Sequence, residues 1–291
     1  MLAAALLLAG CGATFGDPSD DAQPAPAGSD ASLHDALPDS VKSSGVLRFA
    51  GDSHPPYRTV ASDGSITGID KDFQDALGKV LGVRTEVSIV ESLPAALQGM
   101  LADRYDAFNG PVKATAEREK QFDTVTWMTT RTSYVVPAKG SAAIKDAADL
   151  CGKRVALVAA GVVEQQVKNL SAYCRKNGKP AVQAVGLADT NSTLLATQSG
   201  RAEAAGMTQA SAIDVTTQQK GAYTSVTQTE EQGATADKLA LYVPKSTGLG
   251  PVMQKAWTEL FRTGKYREIM KKWGLTEVMV SAPEFDAGTA S

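Results

Sequence analysis

The sequence has few of the residues that metal centres, redox sites and nucleic-acid surfaces require. Its 291 residues include three cysteines and two histidines, too few for a Cys/His metal site. Aromatic residues make up 6% of the chain, which argues against a platform on which nucleic-acid bases stack. The formal net charge is −3 and there is no basic stripe, so nucleic acid is not an expected partner.

The sequence also lacks a phosphate-binding loop and a neighbouring pair of nucleophile and base. We therefore predict no cofactor and no enzyme activity. The rest of the composition is ordinary for a folded protein, with 43% hydrophobic and 21% charged residues. A chain of this length is expected to form two compact units with ample core.

The one long hydrophobic run lies at the N-terminus. Residues 1–10 read MLAAALLLAG, which is too short to span a bilayer but fits the apolar part of a secretion signal. Leu8-Ala9-Gly10-Cys11 resembles a bacterial lipobox, in which the cysteine becomes the lipidated first residue. The basic segment that usually precedes such a run is missing, which fits a true start further upstream. An ordinary apolar helix is the alternative.

The segment after this run is rich in Ala, Pro, Asp, Ser and Gly up to residue 40. It cannot bury enough apolar surface to offset the entropy of ordering, so we predict a disordered tether over residues 11–40. Signal, lipidated Cys11 and tether together predict a protein anchored to the outer face of the cell membrane.

The two remaining cysteines, Cys151 and Cys174, flank a predicted strand at 154–158 and a predicted helix at 163–176. An exported protein favours disulfides. The helix runs antiparallel to the strand, so its end returns to where the strand began. A disulfide closing this loop would stabilise the protein by roughly 3 kcal/mol. Two buried free thiols are the alternative.

From Val46 onwards, short apolar strands alternate with amphipathic helices, which predicts an α/β fold. Five elements come first, in the order β-α-β-α-β, at 46–50, 70–81, 84–90, 93–102 and 105–109. This order implies a parallel sheet with helices on its faces. A second series of strands and helices follows, and the last two helices have no strand series of their own.

The last helices are therefore expected to pack on the first unit, so the chain crosses twice between two lobes. We predict one lobe from residues 41–131 plus 239–277 and a second lobe from residues 132–238. Residues 278–291 are expected to form a flexible tail. Ligands of such folds bind at the carboxyl ends of strands and between lobes.

One segment carries the clearest chemical signal. Residues 105–121 read YDAFNGPVKATAEREKQ, a short strand, a Gly-Pro break and a charged helix start holding Arg118. Such a turn aims backbone N–H groups at an anion, and the planar fork of Arg118 suits a carboxylate. Taken alone, the segment could also be a solvated surface helix.

Five segments occur in a characteristic order and spacing: GDSHPPY (51–57), TGIDKDF (67–73), LPAALQ through YDA (93–107), TAEREKQ (115–121) and GKYREIMKKWG (264–274). Together they resemble bacterial extracellular solute-binding proteins of family 3, the polar amino-acid receptors of ABC importers, and the resemblance extends over roughly residues 47–275. The resemblance implies a type II periplasmic-binding-protein fold. Each lobe would be a mainly parallel sheet flanked by helices, with two crossover segments serving as a hinge.

The resemblance also implies a binding site. Arg118 would bind the carboxylate of the ligand, helped by backbone N–H groups from Gly110 to Thr115. The second lobe would add a helix N-terminus at Gly161 and Val162. His54 holds the place of the aromatic residue that covers the ligand.

Three departures from the family pattern make the other end of the ligand uncertain. Lys113 replaces a serine, which favours a ligand with additional negative charge or a carbonyl oxygen unless Lys113 is solvated outside the cleft. Gly161 and Val162 occupy the positions at the helix start where the family has hydroxyl side chains, so only backbone donors remain there. The acid that binds the ammonium group falls on Thr208, which cannot pair a buried charge.

Either another carboxylate replaces that acid or the ligand lacks an α-ammonium group. Asp52 and Asp70 lie on neighbouring loops and are the candidates for the replacement. Trp127 lies near the first crossing and is a further candidate for the cleft lining, with a buried hinge residue as the alternative.

The expected function is that of a monomeric, lipid-anchored receptor. It would capture a small polar amino acid or related carboxylate and present it to an ABC permease. Two alternatives on the same fold are a ligand-sensing protein and a dehydratase-like enzyme, in which Lys113 and a nearby aspartate would form an acid-base pair.

Overall fold

A computed structural model describes residues 30–159, 162–187 and 189–288, without the side chains of 140–142. The predicted signal, Cys11, Gly161 and most of the predicted tether lie outside the described residues. Within the described part of the chain, no helix combines the length and apolar character needed to cross a membrane.

Strands and helices alternate along the chain. The strands are β1 (Val46–Gly51), β2 (Thr59–Val60), β3 (Ile66–Thr67), β4 (Arg84–Ile89), β5 (Ala107–Phe108), β6 (Phe122–Thr130), β7 (Thr132–Pro137), β8 (Arg154–Val158), β9 (Gln183–Leu187), β10 (Ala204–Thr208), β11 (Tyr223–Thr227), β12 (Asp237–Pro244) and β13 (Met279–Phe285). The α-helices are α1 (Ala31–Asp35), α2 (Asp39–Ser44), α3 (Ile69–Leu81), α4 (Leu93–Leu101), α5 (Val162–Lys176), α6 (Thr190–Gln198), α7 (Gln209–Gln218), α8 (Gly250–Arg262) and α9 (Lys265–Lys272). Short 3-10 helices lie at Arg118–Lys120, Ala138–Ala143, Ala147–Leu150, Lys245–Thr247 and Thr276–Val278.

The two larger sheets define two lobes. The first lobe is built on six strands in the order β13-β6-β12-β5-β1-β4, and the second on five strands in the order β11-β7-β10-β8-β9. The chain passes from the first sheet to the second at Arg131, between β6 and β7, and returns between β11 and β12. The fold is therefore the α/β, two-lobed architecture with two crossings that the sequence predicts.

Both sheets are mixed, so the prediction of mainly parallel sheets is wrong. In the first sheet β1 runs parallel to β4 and β5, whereas β12 runs antiparallel to β5 and β6. In the second sheet β8 runs parallel to β9 and β10, whereas β7 runs antiparallel to β10. β7 and β12 are the first strands after the two crossings.

An aromatic cluster forms the centre of the first lobe. The rings of Trp127 and Trp257 are stacked with centroids 5.7 Å apart, and Phe73 lies 4.8 Å from Trp257. The Tyr266 hydroxyl donates to the carbonyl of Trp127 over 2.8 Å. Trp127 is fully buried, so the prediction that it lines the cleft is wrong. Its side chain points from β6 to the face of the sheet that α3 and α8 cover.

The described end of the predicted tether is folded. Asp30 caps α1 by accepting from the backbone N–H of Ser32 over 3.0 Å. Leu33, Leu37 and Val41 are buried in the core of the first lobe. The prediction of disorder is therefore wrong for residues 30–40, because burial of these three apolar side chains offsets the entropy of ordering an otherwise polar segment.

The predicted flexible tail is also folded over its described residues. β13 pairs antiparallel with β6 at the edge of the first sheet. Beyond it, the Asp286 carboxylate accepts from the N–H of Thr124 over 2.8 Å and from the Lys245 ammonium over 2.7 Å. The tail prediction is wrong because backbone pairing with a free sheet edge needs no hydrophobic alternation. Pro283 is compatible with such an edge position.

The predicted disulfide is confirmed. Cys151 and Cys174 are bonded, with their Cα atoms 5.6 Å apart. Cys151 lies just before β8 and Cys174 near the end of α5. The bond therefore joins a strand start to the returning end of the following helix, as the sequence pattern indicates.

Candidate functional site

A cavity of about 270 Å³ lies between the two lobes. Eight lining residues come from the first lobe: Asp52, His54, Leu93, Pro111, Val112, Lys113, Thr115 and Arg118. Seven come from the second lobe: Val158, Val162, Val163, Thr190, Gly206, Met207 and Thr208. Two other grooves, of about 510 and 460 Å³, are each lined by one lobe alone.

The cavity lies at the ends of strands and the starts of helices. Asp52 follows β1, Val158 ends β8, and Thr208 ends β10. Val162 and Thr190 are the first residues of α5 and α6. This is the position that strand order predicts for a ligand site in an α/β fold.

Seven of the predicted site residues lie in this lining: Asp52, His54, Lys113, Thr115, Arg118, Val162 and Thr208. Gly110 does not. It is packed beneath the cleft, where a Cβ atom would lie 2.9 Å from the Phe108 ring and 3.0 Å from Nη2 of Arg58. Glycine at this position therefore allows close packing, and its prediction as a cleft residue is wrong.

Arg118 lies on a single 3-10 turn rather than at the start of the predicted α-helix. The preceding segment runs beside β12, where the N–H of Ala114 donates to the carbonyl of Lys238 and the N–H of Ala240 donates to the carbonyl of Val112, both over 3.0 Å. These bonds hold residues 112–114 in an extended conformation. Residues 115–117 then connect this extended segment to the 3-10 turn at Arg118.

The guanidinium of Arg118 is held by the turn itself. Its Nη1 donates to the carbonyl of Lys113 over 3.1 Å, and the same carbonyl accepts from the Tyr242 hydroxyl over 2.5 Å. Among the described residues, no carboxylate pairs with Arg118 in a salt bridge. Its positive charge is therefore positioned in the cleft and left available to an anion.

Lys113 lines the cavity, but its charge is already paired. Its ammonium lies 2.8 Å from Oδ1 of Asp237, which is 4% exposed. Asp237 also accepts from Nε2 of Gln166 over 3.0 Å and from the hydroxyl of Thr235 over 3.3 Å. The alternative of a solvated Lys113 outside the cleft is therefore wrong. The pairing also removes the reason to expect additional negative charge on the ligand.

A buried arginine that the sequence interpretation missed organises the first lobe's side of the cleft. Arg58 is fully buried and donates to the carboxylates of Asp70 over 2.5 Å and Asp52 over 2.9 Å. It also donates to the carbonyls of Asp52 and Asn109. A charge in this position requires such pairing, and its two acidic partners at short range in the sequence are the signal that could have revealed it.

The pairing with Arg58 separates the two candidate aspartates. Asp70 is fully buried and absent from the cavity lining, so its prediction as a ligand-binding residue is wrong. Burial raises the pKa of Asp70 to about 7, although the charge of Arg58 opposes that rise. Burial also tends to raise the pKa of Asp52, but the neighbouring His54 ring, with Nδ1 3.8 Å from Oδ2, and the charge of Arg58 outweigh it and hold that pKa well below its usual range. Asp52 is therefore an ionised carboxylate in the cleft at neutral pH.

Thr208 has a structural role at the place where an acid was expected. Its hydroxyl accepts from the N–H of Ser211 over 3.3 Å and caps α7. It also donates to the Ser211 hydroxyl over 3.0 Å, which donates in turn to the carbonyl of Pro55 over 3.1 Å. This chain of bonds connects the second lobe to the loop that carries His54.

The C-terminal segment supports the Arg118 turn from behind. The N–H of Gly288 donates to Oε1 of Glu119 over 2.8 Å, and the Thr124 hydroxyl donates to the same oxygen over 2.5 Å. Gly288 lies so close to the turn that a Cβ atom would be 2.7 Å from the carbonyl carbon of Thr115. The last described residue of the chain is therefore part of the packing around the cleft.

Comparison with known proteins shows which family and which binding proteins this chain is similar to. A family model described as "Bacterial extracellular solute-binding proteins, family 3" matches residues 47–276. The arginine-binding protein ArgT of Corynebacterium glutamicum is 26% identical over 248 residues, which cover 83% of this chain and 78% of ArgT. The L-cystine-binding protein TcyJ of Escherichia coli K12 is 32% identical over 127 residues, which cover 42% of this chain and 46% of TcyJ. These named relatives are binding proteins.

Solved structures of similar proteins have the same fold. An ancestral arginine-binding protein bound to arginine has a TM-score of 0.65 and 26% identity, covering 79% of this chain and 98% of that protein. The ancestral amino-acid-binding protein AncCDT-1, a precursor of cyclohexadienyl dehydratase, has a TM-score of 0.68 and 22% identity, covering 81% and 98% of the two chains. At that identity, the second likeness shows the fold alone.

Replacing Lys113 tests the buried ion pair. We expect Lys113→Met to lower the free energy of unfolding by about 1–3 kcal/mol, because it leaves the buried carboxylate of Asp237 without its cation. Urea unfolding followed by circular dichroism measures the change. Lys71→Met is the matched control, since Lys71 pairs with Asp75 on the surface and its loss should change stability by less than about 1 kcal/mol. Equal effects of the two variants would contradict the role of the pair.

Shortening the chain tests the support behind Arg118. Ending the protein at Phe285 removes Asp286 and Gly288, and we expect amide hydrogen exchange at residues 115–124 to accelerate about fivefold, equivalent to about 1 kcal/mol. Exchange in α5 should stay unchanged. Hydrogen-exchange mass spectrometry makes this measurement. A chain ending at Gly288 is the control and should match the full chain, whereas identical protection in both shortened chains would refute the proposed support.

Proposed function

The chain belongs to family 3 of the bacterial extracellular solute-binding proteins, and from that premise we propose that it captures an amino acid or related small carboxylate for an ABC importer. The ligand would lie in the cavity between the lobes. The observation that carries the proposal is Arg118, a positioned guanidinium in that cavity with no carboxylate partner among the described residues. A ligand carboxylate would supply the missing charge through two parallel hydrogen bonds.

The ammonium group of an amino acid would bind Asp52. This carboxylate lines the cavity and is ionised at neutral pH, whereas Thr208 offers a hydroxyl that already takes part in capping α7. Asp52 lies on the loop after β1, and His54 lies beside it with Nδ1 3.8 Å from its Oδ2. Val162 and Gly161 would add backbone N–H groups from the start of α5.

Ligand capture would proceed by movement of the lobes about the two crossings. Two contacts favour this proposal because they join the lobes next to the cavity. Nε2 of Gln166 in α5 donates to the carboxylate of Asp237 in β12, and the hydroxyl of Ser211 in α7 donates to the carbonyl of Pro55. A ligand that brings Val162 and Arg118 together would stabilise the state in which these contacts form.

The location of the protein belongs to the same proposal. Residues 1–10 would be a signal peptide, Cys11 the site of lipidation and the following residues a tether that ends at α1. The disulfide between Cys151 and Cys174 supports an oxidising compartment outside the cytoplasm. A monomer held at the outer face of the membrane could pass its ligand to an ABC permease. The named relatives are binding proteins, which favours binding over catalysis.

Replacing Arg118 tests the carboxylate anchor. Thermal-shift screening of amino acids and organic acids first identifies a ligand, and isothermal titration calorimetry then measures its affinity. We expect Arg118→Ala to raise Kd at least about 30-fold, equivalent to about 2 kcal/mol, and Arg118→Lys to have a smaller effect because it keeps the charge. Arg84→Ala is the control, because Arg84 is exposed on β4. Unchanged affinity of Arg118→Ala would refute the anchor.

Labelling tests the membrane anchor. Cells that produce the protein are grown with a clickable fatty-acid analogue, and we expect the wild-type protein to carry the label and to sediment with membranes. Cys11→Ala should lose the label and appear in the soluble fraction, because no other lipidation site is proposed. A label that persists in Cys11→Ala, or a wild-type protein without label, would contradict the assignment.

A further inference from the structure

The second lobe contributes no charged side chain to the described lining of the cavity. Its seven lining residues are the aliphatic or thioether residues Val158, Val162, Val163 and Met207, together with Thr190, Thr208 and Gly206. Residues 160, 161 and 188, which the structure does not describe, are Ala, Gly and Ala in the sequence and carry no charge either. One wall of the cleft is therefore electrically neutral.

The charges of the cleft all come from the first lobe, and two of the three ionised side chains have partners. Lys113 is paired with Asp237 and Asp52 with Arg58, which leaves Arg118 without a carboxylate among the described residues. The site can thus bind one ligand carboxylate at Arg118 and one ammonium at the exposed side of Asp52. It offers no second carboxylate for a cation further along the ligand.

Three acidic side chains of this region already have hydrogen-bond or ion-pair partners. Asp189 caps α6, with its oxygens accepting from the N–H of Ser192 over 2.8 Å and from its hydroxyl over 3.0 Å. Glu164 pairs with Lys168 over 2.9 Å and lines a separate groove of the second lobe. Asp237 is almost fully buried behind Lys113. A cationic ligand group enclosed against this wall would lose its water without gaining a partner, which costs several kcal/mol.

The same wall favours apolar groups. Leu93 and Val112 of the first lobe complete a lining in which the side chains of Val158, Val163 and Met207 face the cavity from the other lobe. Each methylene group buried there would strengthen binding through the hydrophobic effect. A volume of about 270 Å³ limits the ligand to a small molecule.

We infer that the ligand is a small monocarboxylate amino acid with an uncharged side chain that is aliphatic or contains a thioether. This inference rests on the proposed function, since it uses Arg118 as the carboxylate anchor. It separates this chain from the arginine-binding protein that it resembles, because the neutral wall receives the side chain of the ligand. The guanidinium of arginine would lie among valines and a methionine.

Calorimetry on the purified wild-type protein with matched ligand pairs tests the inference. Norleucine and lysine share a carbon chain and differ by the terminal ammonium, so we expect norleucine to bind at least 100-fold more tightly. Leucine and methionine should bind, whereas arginine and glutamate should not bind measurably. Lysine or arginine binding as tightly as norleucine would overturn the inference while leaving the proposed function intact.

Leucinamide separates a failure of the inference from a failure of the proposed function. Without its carboxylate, leucinamide should not bind, because Arg118 has nothing to pair with. If leucinamide binds as well as leucine, or if no amino or organic acid binds, the proposed function fails and the inference fails with it. A preference for cationic ligands that still requires the carboxylate overturns the inference alone.

A charge introduced into the wall provides a second test. Val162 is half-buried and begins α5, where an acidic residue suits the helix dipole, so Val162→Asp should remain folded. We expect Val162→Asp to reduce the preference for norleucine over lysine at least tenfold. Val162→Asn, of the same size without the charge, should keep the preference. The inference is overturned if the two variants show the same ratio and circular dichroism shows both to be folded.

Discussion

The pairing of Arg58 with two aspartates is the interaction on which the arrangement of the cleft depends. A guanidinium without solvent contact must have its charge and donors satisfied, and Arg58 meets this need with Asp70, Asp52 and two backbone carbonyls. These partners belong to the loop after β1, the start of α3 and the end of β5. One buried charge therefore fixes three segments around the first lobe's half of the cavity.

The same rule of pairing determines which charges a ligand can meet. Asp52 is shared between Arg58 and the cleft, and Lys113 is joined to Asp237 where the chain returns to the first lobe. The guanidinium of Arg118 donates to the carbonyl of Lys113, and no carboxylate in the described part of the chain forms a salt bridge with it. The selectivity of the cleft thus follows less from the number of charged residues in it than from how many are already neutralised.

The sequence predicted the α/β architecture, the two crossings and the disulfide, because each depends on local periodicity or on short-range spacing. It also singled out the segment of Arg118, which lines the cavity. It did not predict Arg58 or Asp237, since the importance of each depends on burial, which arises only when distant segments pack. Trp127 was misassigned for a related reason: a strand has two faces, and only the packing of α3 and α8 shows which one holds the core. The folded ends escaped prediction because α1 is short and β13 is stabilised by backbone pairing rather than by an apolar pattern.

The strand β13 and the residues after it have a consequence for how the protein matures. Synthesis proceeds from the N-terminus, so Asp286 and Gly288 follow the Arg118 turn in the order in which the residues are made. The turn can therefore gain its contacts with these two residues only after the whole segment between them has been synthesised. A chain that ended before Asp286 would lack these contacts around the Arg118 turn.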